Sequence, residues 1–313
     1  MRVVFMGTPD FAVPTLQMLI DEGHTLCAVV TQPDKPKGRG KKEAMPPIKE
    51  LALRYNLPVL QPQRIRGDEA FFTHIQSLNP DIIVVVAFGQ ILPESILTIP
   101  KYGCINIHGS LLPKYRGAAP IQWSIINGED LTGVTIMYMD KGMDTGDMLL
   151  KKEIPITKED TYETLHGKMK EVGAKALLEA MPLIVAGGDS REKQEEAEST
   201  YAPMIQKSLG EMDWSKPATT LDCLIRGLNP WPVCYTTYKG EVMKVWKAKV
   251  LLDTSNEKPG TLLKVDKEGL QVQTGVGSLL IEELQMPNKK RMPVSEYIKG
   301  NTLLVGEVLG TYE

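Results

Sequence analysis

Long apolar runs are missing from this chain of 313 residues. The longest is Ile82-Ile83-Val84-Val85-Val86-Ala87-Phe88, far short of the roughly 20 residues that a membrane-crossing helix needs. No membrane span is expected. A secretory or transit signal is lacking too: Pro9 and Asp10 arrive before an apolar signal core could form, and the start has no Arg- and Ser-rich character. The chain is therefore expected to be cytoplasmic. Cysteine is scarce: Cys27, Cys104, Cys223 and Cys234 form neither a C-x-x-C pair nor a regular series, which fits free thiols in a reducing compartment rather than a disulfide framework. The four histidines, His24, His74, His108 and His166, make no H-x-x-x-H or Cys/His cluster, so no metal site is expected. There is no G-x-S-x-G elbow to expose a nucleophilic serine. A strong charge excess is absent as well, since 36 basic and 39 acidic residues leave a net charge of −3.

What is present describes a folded protein. A hydrophobic fraction of 42% and a charged fraction of 24% are those of a globular chain, and the length suits two domains of roughly 100–200 residues each. Val3–Met6, Leu26–Val30, Pro58–Leu60 and Ile82–Phe88 read as buried strands, with helical spacing over Phe11–Ile20, Ile48–Tyr55 and Glu69–Ser77 between them. Cys104–His108, Val134–Met139 and Met148–Ile156 continue the strands, a helix at Pro120–Asn127 intervenes, and a long helix follows at Tyr162–Ala186. This alternation predicts an α/β domain, a mostly parallel sheet covered by helices on both faces, over residues 1–189. Residues 190–207 are polar and charged, as an exposed linker is. Residues 208–313 carry short strands at Val242–Val250, Thr261–Val265, Leu270–Thr274 and Leu279–Glu283 between Gly, Pro and Asn turns, which predicts a small β-barrel or sandwich.

In a doubly wound sheet, ligands bind beyond the carboxyl ends of the strands, near the point where strand order reverses. Asn106 and His108, two apart on one strand, share a face. Such a pair can hold a developing oxyanion and exchange a proton near neutral pH. Asp140, Asp144 and Asp147 sit in the following Gly-containing loop, where each could form a local turn or reach His108. Gly7-Thr8-Pro9-Asp10-Phe11-Ala12 stands where a dinucleotide fold shows G-x-G-x-x-G, and its Pro9 and Asp10 disfavour pyrophosphate binding and hence hydride transfer with a nicotinamide cofactor.

The stretch Asn106-x-His108-Gly109-Ser110-Leu111-Leu112-Pro113-x-x-Arg116-Gly117-x-x-Pro120, followed by Asp144 in a Gly-rich loop, resembles the signature of the folate-dependent formyltransferases. Gly7-Thr8-Pro9-Asp10-Phe11, Thr31-Gln32-Pro33-Asp34 with its basic loop, Asn229-Pro230-Trp231-Pro232 and Lys244-Val245-Trp246-Lys247-Ala248 extend the likeness over essentially the whole chain. They point to the branch whose acceptor is methionine on initiator tRNA. A branch that formylates a nucleotide-linked amino sugar shares both domains and is the alternative; the basic loop tells against it.

The resemblance implies a Rossmann-like catalytic domain, an OB-like C-terminal domain that binds tRNA, and 10-formyltetrahydrofolate as formyl donor. It implies that Asn106, His108 and Asp144 are catalytic, with Asp144 keeping His108 charged and oriented. Ser110, Leu111, Leu112 and Pro113 would line the folate site, together with the backbone of Phe88, Gly89, Gln90, Ile91 and Leu92. Lys35, Lys37, Arg39, Lys41 and Lys42 make a mobile positive loop that binds phosphate without reading sequence. Residues 208–313 hold thirteen basic and thirteen acidic groups, so tRNA binding there would fall to a local face bearing Lys247 and Lys249, with Trp246 on the other side of the strand and Trp214, Trp231 and Trp246 in the core. No residue pattern sets the oligomeric state, and a monomer is the working expectation.

Overall fold

The computed structural model describes residues 1–37, 42–187, 191–253 and 255–310. Its first elements are β1 (Arg2–Gly7), α1 (Val13–Asp21), β2 (Thr25–Val30), β3 (Lys35–Lys37), β4 (Lys42–Ala44), α2 (Pro47–Arg54), β5 (Val59–Leu60), α3 (Glu69–Ser77), β6 (Ile82–Val86) and α4 (Glu94–Leu97). There follow β7 (Cys104–His108), β8 (Arg116–Gly117), α5 (Pro120–Ile126), β9 (Leu131–Tyr138), β10 (Met148–Pro155), α6 (Tyr162–Val185) and β11 (Tyr201–Ala202). Packing divides the chain into two units. The first comprises Met1–Pro120, Leu131–Pro155 and His166–Ala202, the second Ile121–Asp130, Ile156–Leu165 and Pro203–Glu313.

The first unit is built on a seven-stranded sheet of order β10-β9-β7-β6-β1-β2-β5. Strands β5, β2, β1, β6 and β7 are parallel; β9 and β10 add an antiparallel edge. The inner parallel strands β1 and β6 are almost wholly apolar, as expected where helices cover both faces of a sheet; polar side chains enter at β7 with Asn106 and His108. All five residues of β6 are buried, and each fully buried Val or Ile stabilises the fold by about 1.5–3 kcal/mol. One face of the sheet, Val4, Met6, Ala28, Val30, Ile83 and Val85, clusters with Phe71 and Ile75 of α3. Asp68 caps that helix, its carboxylate accepting from Phe71 N at 2.9 Å.

Residues 191–202, expected within a linker, belong to the first unit. Their polar groups satisfy backbone there: Thr200 accepts Tyr115 N–H on its hydroxyl at 2.8 Å and Arg116 N–H on its carbonyl at 2.9 Å, and β11 then pairs in parallel with β8. The loop expected at residues 35–42 has flanks that pair as an antiparallel hairpin, β3 with β4. Asp34 at its base is held by Lys49 (2.7 Å) and by the Gln61 amide (2.7 Å).

The second unit contains α7 (Ala218–Gly227), β12 (Cys234–Tyr238), β13 (Glu241–Leu251), β14 (Leu262–Asp266), β15 (Gly269–Gln273), β16 (Ser278–Gln285), β17 (Met292–Pro293) and α8 (Val294–Tyr297). Its strands form an antiparallel sheet of order β12-β13-β16-β15-β14, with β17 on β16. The strand content is that of the OB-like expectation. The ladder stays open among the described residues, since β12 and β14 do not pair.

Candidate active site

Strands β6 and β7 run side by side in the same direction, with Val85 opposite Asn106, so the chain leaves both at one edge of the sheet. Strand order reverses between β1 and β6, because the chain builds β2 and β5 on one side of β1 and then crosses to the other. The crevice rule therefore selects this edge. Ala87, at φ +47°, turns the chain sharply after β6, a conformation that costs an L-residue about 1–2 kcal/mol. Across the reversal, the Thr8 hydroxyl donates to Phe88 O at 2.9 Å and the Gln32 amide donates to the same oxygen at 3.3 Å. A cleft of about 250 Å³ opens beside them, lined by Thr8, Pro9, Gln32, Pro33, Lys35 and Met45 among others. None of the residues expected to hold folate lines it.

Those residues split by burial. Phe88, Leu92, Ser110, Leu112 and Pro113 are buried, whereas Gly89 and Ile91 are exposed and Gln90 and Leu111 half-buried. Ser110 spends its hydroxyl on Lys114 O at 2.6 Å. Leu112 packs with Met137 and Met148, and Gln90 accepts Ile65 N–H at 2.9 Å. The buried members shape the loops; Ile91, Leu111 and the backbone at Gly89 are the accessible part.

Asn106 and His108 share a face of β7, as alternation requires. Asn106 is half-buried, and its amide has no hydrogen-bond partner among the described residues. His108 is 6% exposed. Its Nε2 lies 2.9 Å from Tyr115 O; a carbonyl only accepts, so Nε2 carries hydrogen. The opposite nitrogen, Nδ1, faces Asp144 Oδ2 at 3.6 Å, within ion-pair range but longer than a hydrogen bond.

Asp144 comes from far along the sheet. Strand β9 ends at Tyr138 beside Ile105, three residues or about 10 Å of strand away from His108, and the 139–147 loop returns over that distance. Several contacts shape it. Asp140 accepts Gly142 N–H and the Thr145 hydroxyl, Asp144 sits at φ +55°, and any β-carbon on Gly146 would collide with Tyr138 O. The Asp144 carboxylate accepts Gly117 N–H at 2.9 Å. Gly117 is at φ +114°, with the Tyr201 ring and Ala202 O against its α-carbon, so no larger residue fits there.

Two polar side chains beside this site had no role assigned from sequence. Gln194 donates to Asp144 O at 2.7 Å and to Gly146 O at 2.8 Å, and accepts from Arg116 Nε at 2.9 Å. Arg116, nearly buried, also donates to Glu196 at 2.8 Å. The Arg116-Gly117 motif marked one partner; nothing in the polar run around Gln194 marked the other.

Of the cations expected to meet tRNA, Arg39 and Lys41 lie outside the described residues, and Lys37 and Lys42 are described by backbone alone. Lys35 is exposed. Lys247 and Lys249 share a face, and both bind Glu282, at 2.8 and 2.5 Å; this bond holds the Lys247 ammonium above the usual lysine range. One carboxylate thus offsets one of the two charges. Trp214 is buried, Trp246 is half-buried beneath the Arg291 guanidinium at 4.8 Å, and Trp231 is half exposed rather than in the core. The four cysteines are free, and burial pushes the Cys104 thiol up to about 12, which removes it as a nucleophile.

Comparison with known proteins assigns a family to both parts of the chain. A family model described as formyl transferase matches residues 1–181, and one described as the formyl transferase C-terminal domain matches residues 204–302. The methionyl-tRNA formyltransferase of Clostridioides difficile (strain 630) is 60% identical over 310 residues, covering 99% of this chain and all of that protein. That of Acetivibrio thermocellus is 54% identical over 311 residues, with the same coverage. Among solved structures, an N-formyltransferase from Helicobacter canadensis, in complex with folinic acid and dTDP-3-aminofucose, superimposes with a TM-score of 0.69 at 18% identity, over 93% of this chain and 99% of that one. That likeness is one of fold.

Proposed function

The chain belongs to the formyl transferase family, and from that premise we propose that it transfers the formyl group of 10-formyltetrahydrofolate to the α-amino group of methionine on initiator tRNA. It works in the cytoplasm, where charged tRNA is used, as a monomer, with the catalytic part extending through residues 191–202 beyond the expected 1–189 and with residues 208–313 binding tRNA. Among the described residues no helix is long and apolar enough to cross a membrane.

The observation that carries the chemistry is the asymmetry around His108. With Nε2 tied to Tyr115 O, the nitrogen left for a reacting proton is Nδ1, and Asp144 stands on that side. A free α-amino group has a pKa of about 7.7–8, so part of it is already a neutral nucleophile at pH 7. The Asn106 amide, free of described partners, and a protonated Nδ1 hold the charge that develops on the formyl oxygen. Asp144 accepts the proton that the amine gives up and passes it toward the leaving nitrogen as the bond from that nitrogen to the formyl carbon breaks. The folate donor supplies the formyl carbon; Ile91, Leu111, the backbone at 88–92 and the Ser110–Pro113 turn hold it. The fit rests on their place at adjacent ends of parallel strands, beside Asn106.

On the acceptor side, Lys35, Lys37, Arg39, Lys41 and Lys42 bind phosphate near the acceptor end. Lys247 and Lys249 do so in the second unit, with the net single charge that Glu282 leaves them. Transfer of labelled formyl from the folate donor, with methionine-charged initiator tRNA and a nucleotide-linked amino sugar offered together, tests the reading. Label is expected on the tRNA; label on the sugar would reassign the acceptor.

A further inference from the structure

The Asp144 carboxylate has to be held where the chain does not naturally bring it. Its loop starts three strand positions from His108, and Asp144 itself takes a left-handed conformation that side chains other than Gly, Asn and Asp rarely adopt. Within the loop, the Asp140 contacts shape Gly142 and Thr145 but leave the carbonyls of Asp144 and Gly146 unaddressed. Both are taken by one amide group, the Nε2 of Gln194.

The orientation of that amide is fixed by chemistry. Its two N–H bonds meet two carbonyls, which only accept, and its oxygen meets Arg116 Nε, which only donates. Turned over, the amide would face acceptors with an acceptor and a donor with a donor. Arg116 follows Tyr115, whose carbonyl holds His108 Nε2, and Thr200 holds the N–H groups of both Tyr115 and Arg116. The imidazole and the carboxylate are thus referenced to the same short segment, 194–202.

We propose that Gln194 is a positioning residue: its side-chain amide, braced by Arg116, pins the carbonyls of Asp144 and Gly146 and so sets the carboxylate beside His108. Gln194 touches no reacting atom; it acts through Asp144. The proposal rests on the formyl-transfer reading above, and the role goes beyond the catalytic and folate-binding residues already assigned.

Gln194→Glu keeps the shape and the bond to Arg116 but turns an acceptor toward two carbonyl oxygens; Gln194→Met keeps the length without either donor. Misplacement of a reacting group by about 1 Å costs on the order of 10²-fold in rate, and each variant should lose roughly that in single-turnover transfer, with KM for folate and tRNA within about threefold of wild type. In an Asp144→Ala background the same substitutions should cost less than about threefold, because the group they position is gone. Equal losses in both backgrounds, a loss confined to KM, or wild-type rates would overturn the proposal. Should Gln194→Glu fail to fold, Gln194→Met decides. Hydrogen exchange at 140–147 gives a reading independent of the acceptor: Gln194→Met should speed exchange there and leave β7 unchanged. Loop exchange as slow as in wild type sinks the clamp, whereas failure of the wild type to formylate the tRNA sinks the assigned function instead.

Discussion

His108 shows how one hydrogen bond decides a residue's chemistry. Its ring is buried, and Tyr115 O takes Nε2, so the imidazole offers its other nitrogen on the Asp144 side. His108→Ala is expected to lower formyl transfer by roughly 10²–10³-fold, the usual loss when a donor to a developing oxyanion is removed. Affinity for the charged tRNA should stay nearly unchanged, because a buried ring contributes little to a phosphate-driven contact. Rates in single turnover and tRNA titration measure the two separately, and a parallel loss in both would move His108 from catalysis to binding. Asn106 and His108 were legible as a pair because strand alternation is a property of the local chain. The choice of ring nitrogen was not, because the carbonyl that makes it belongs to a turn seven residues on.

Among the elements, strands were the easier part to read. Five consecutive buried residues in β6 need no tertiary information to announce themselves, and β7 and α3 match the expected bounds, Cys104–His108 and Glu69–Ser77. The antiparallel direction of β9 and β10 was hidden, since a buried edge strand has the same composition in either direction. The basic hairpin is the element with the clearest electrostatic consequence. Lys41→Ala combined with Lys42→Ala is expected to weaken tRNA binding and to flatten its dependence on salt, by about 0.7–0.9 in the log–log slope for each phosphate that is no longer neutralised. Titrations at several salt concentrations check this, and an unchanged slope would place the phosphate-binding cations elsewhere. A smaller effect is expected from Lys247 and Lys249, whose charge Glu282 already offsets in part.

For the whole chain, Glu307 in the second unit is one carboxylate that contributes to stability against acid. Glu307 accepts from the Tyr238 hydroxyl at 2.6 Å and pairs with Lys239 at 2.8 Å; the Lys239 bond first, then the tyrosine, brings its carboxyl down from 4.5 to about 2. A depressed folded-state value means stability present above the unfolded value and lost as pH falls through the folded one. Wild type should therefore exceed Glu307→Gln in Tm above about pH 4.5, with the gap closing toward pH 2. Lys239 is solvent-exposed, which limits the gap to about 2–4 °C or less. Thermal melts across that range test it, and a gap that widens on acidification would reverse the sign.

The sequence by itself determined the alternating α/β plan, the strand-rich second part, the motif that names the family, and the face shared by Asn106 and His108. Each of these is written in neighbouring residues, through period, turn chemistry and short spacing. Only the tertiary structure decided where 191–202 belong, that Asp144 returns to within 3.6 Å of His108 Nδ1, and that Gln194 holds it there. Those facts join residues 36 to 85 positions apart, and a hydrogen bond between such groups leaves no periodic or compositional trace in the chain that makes it.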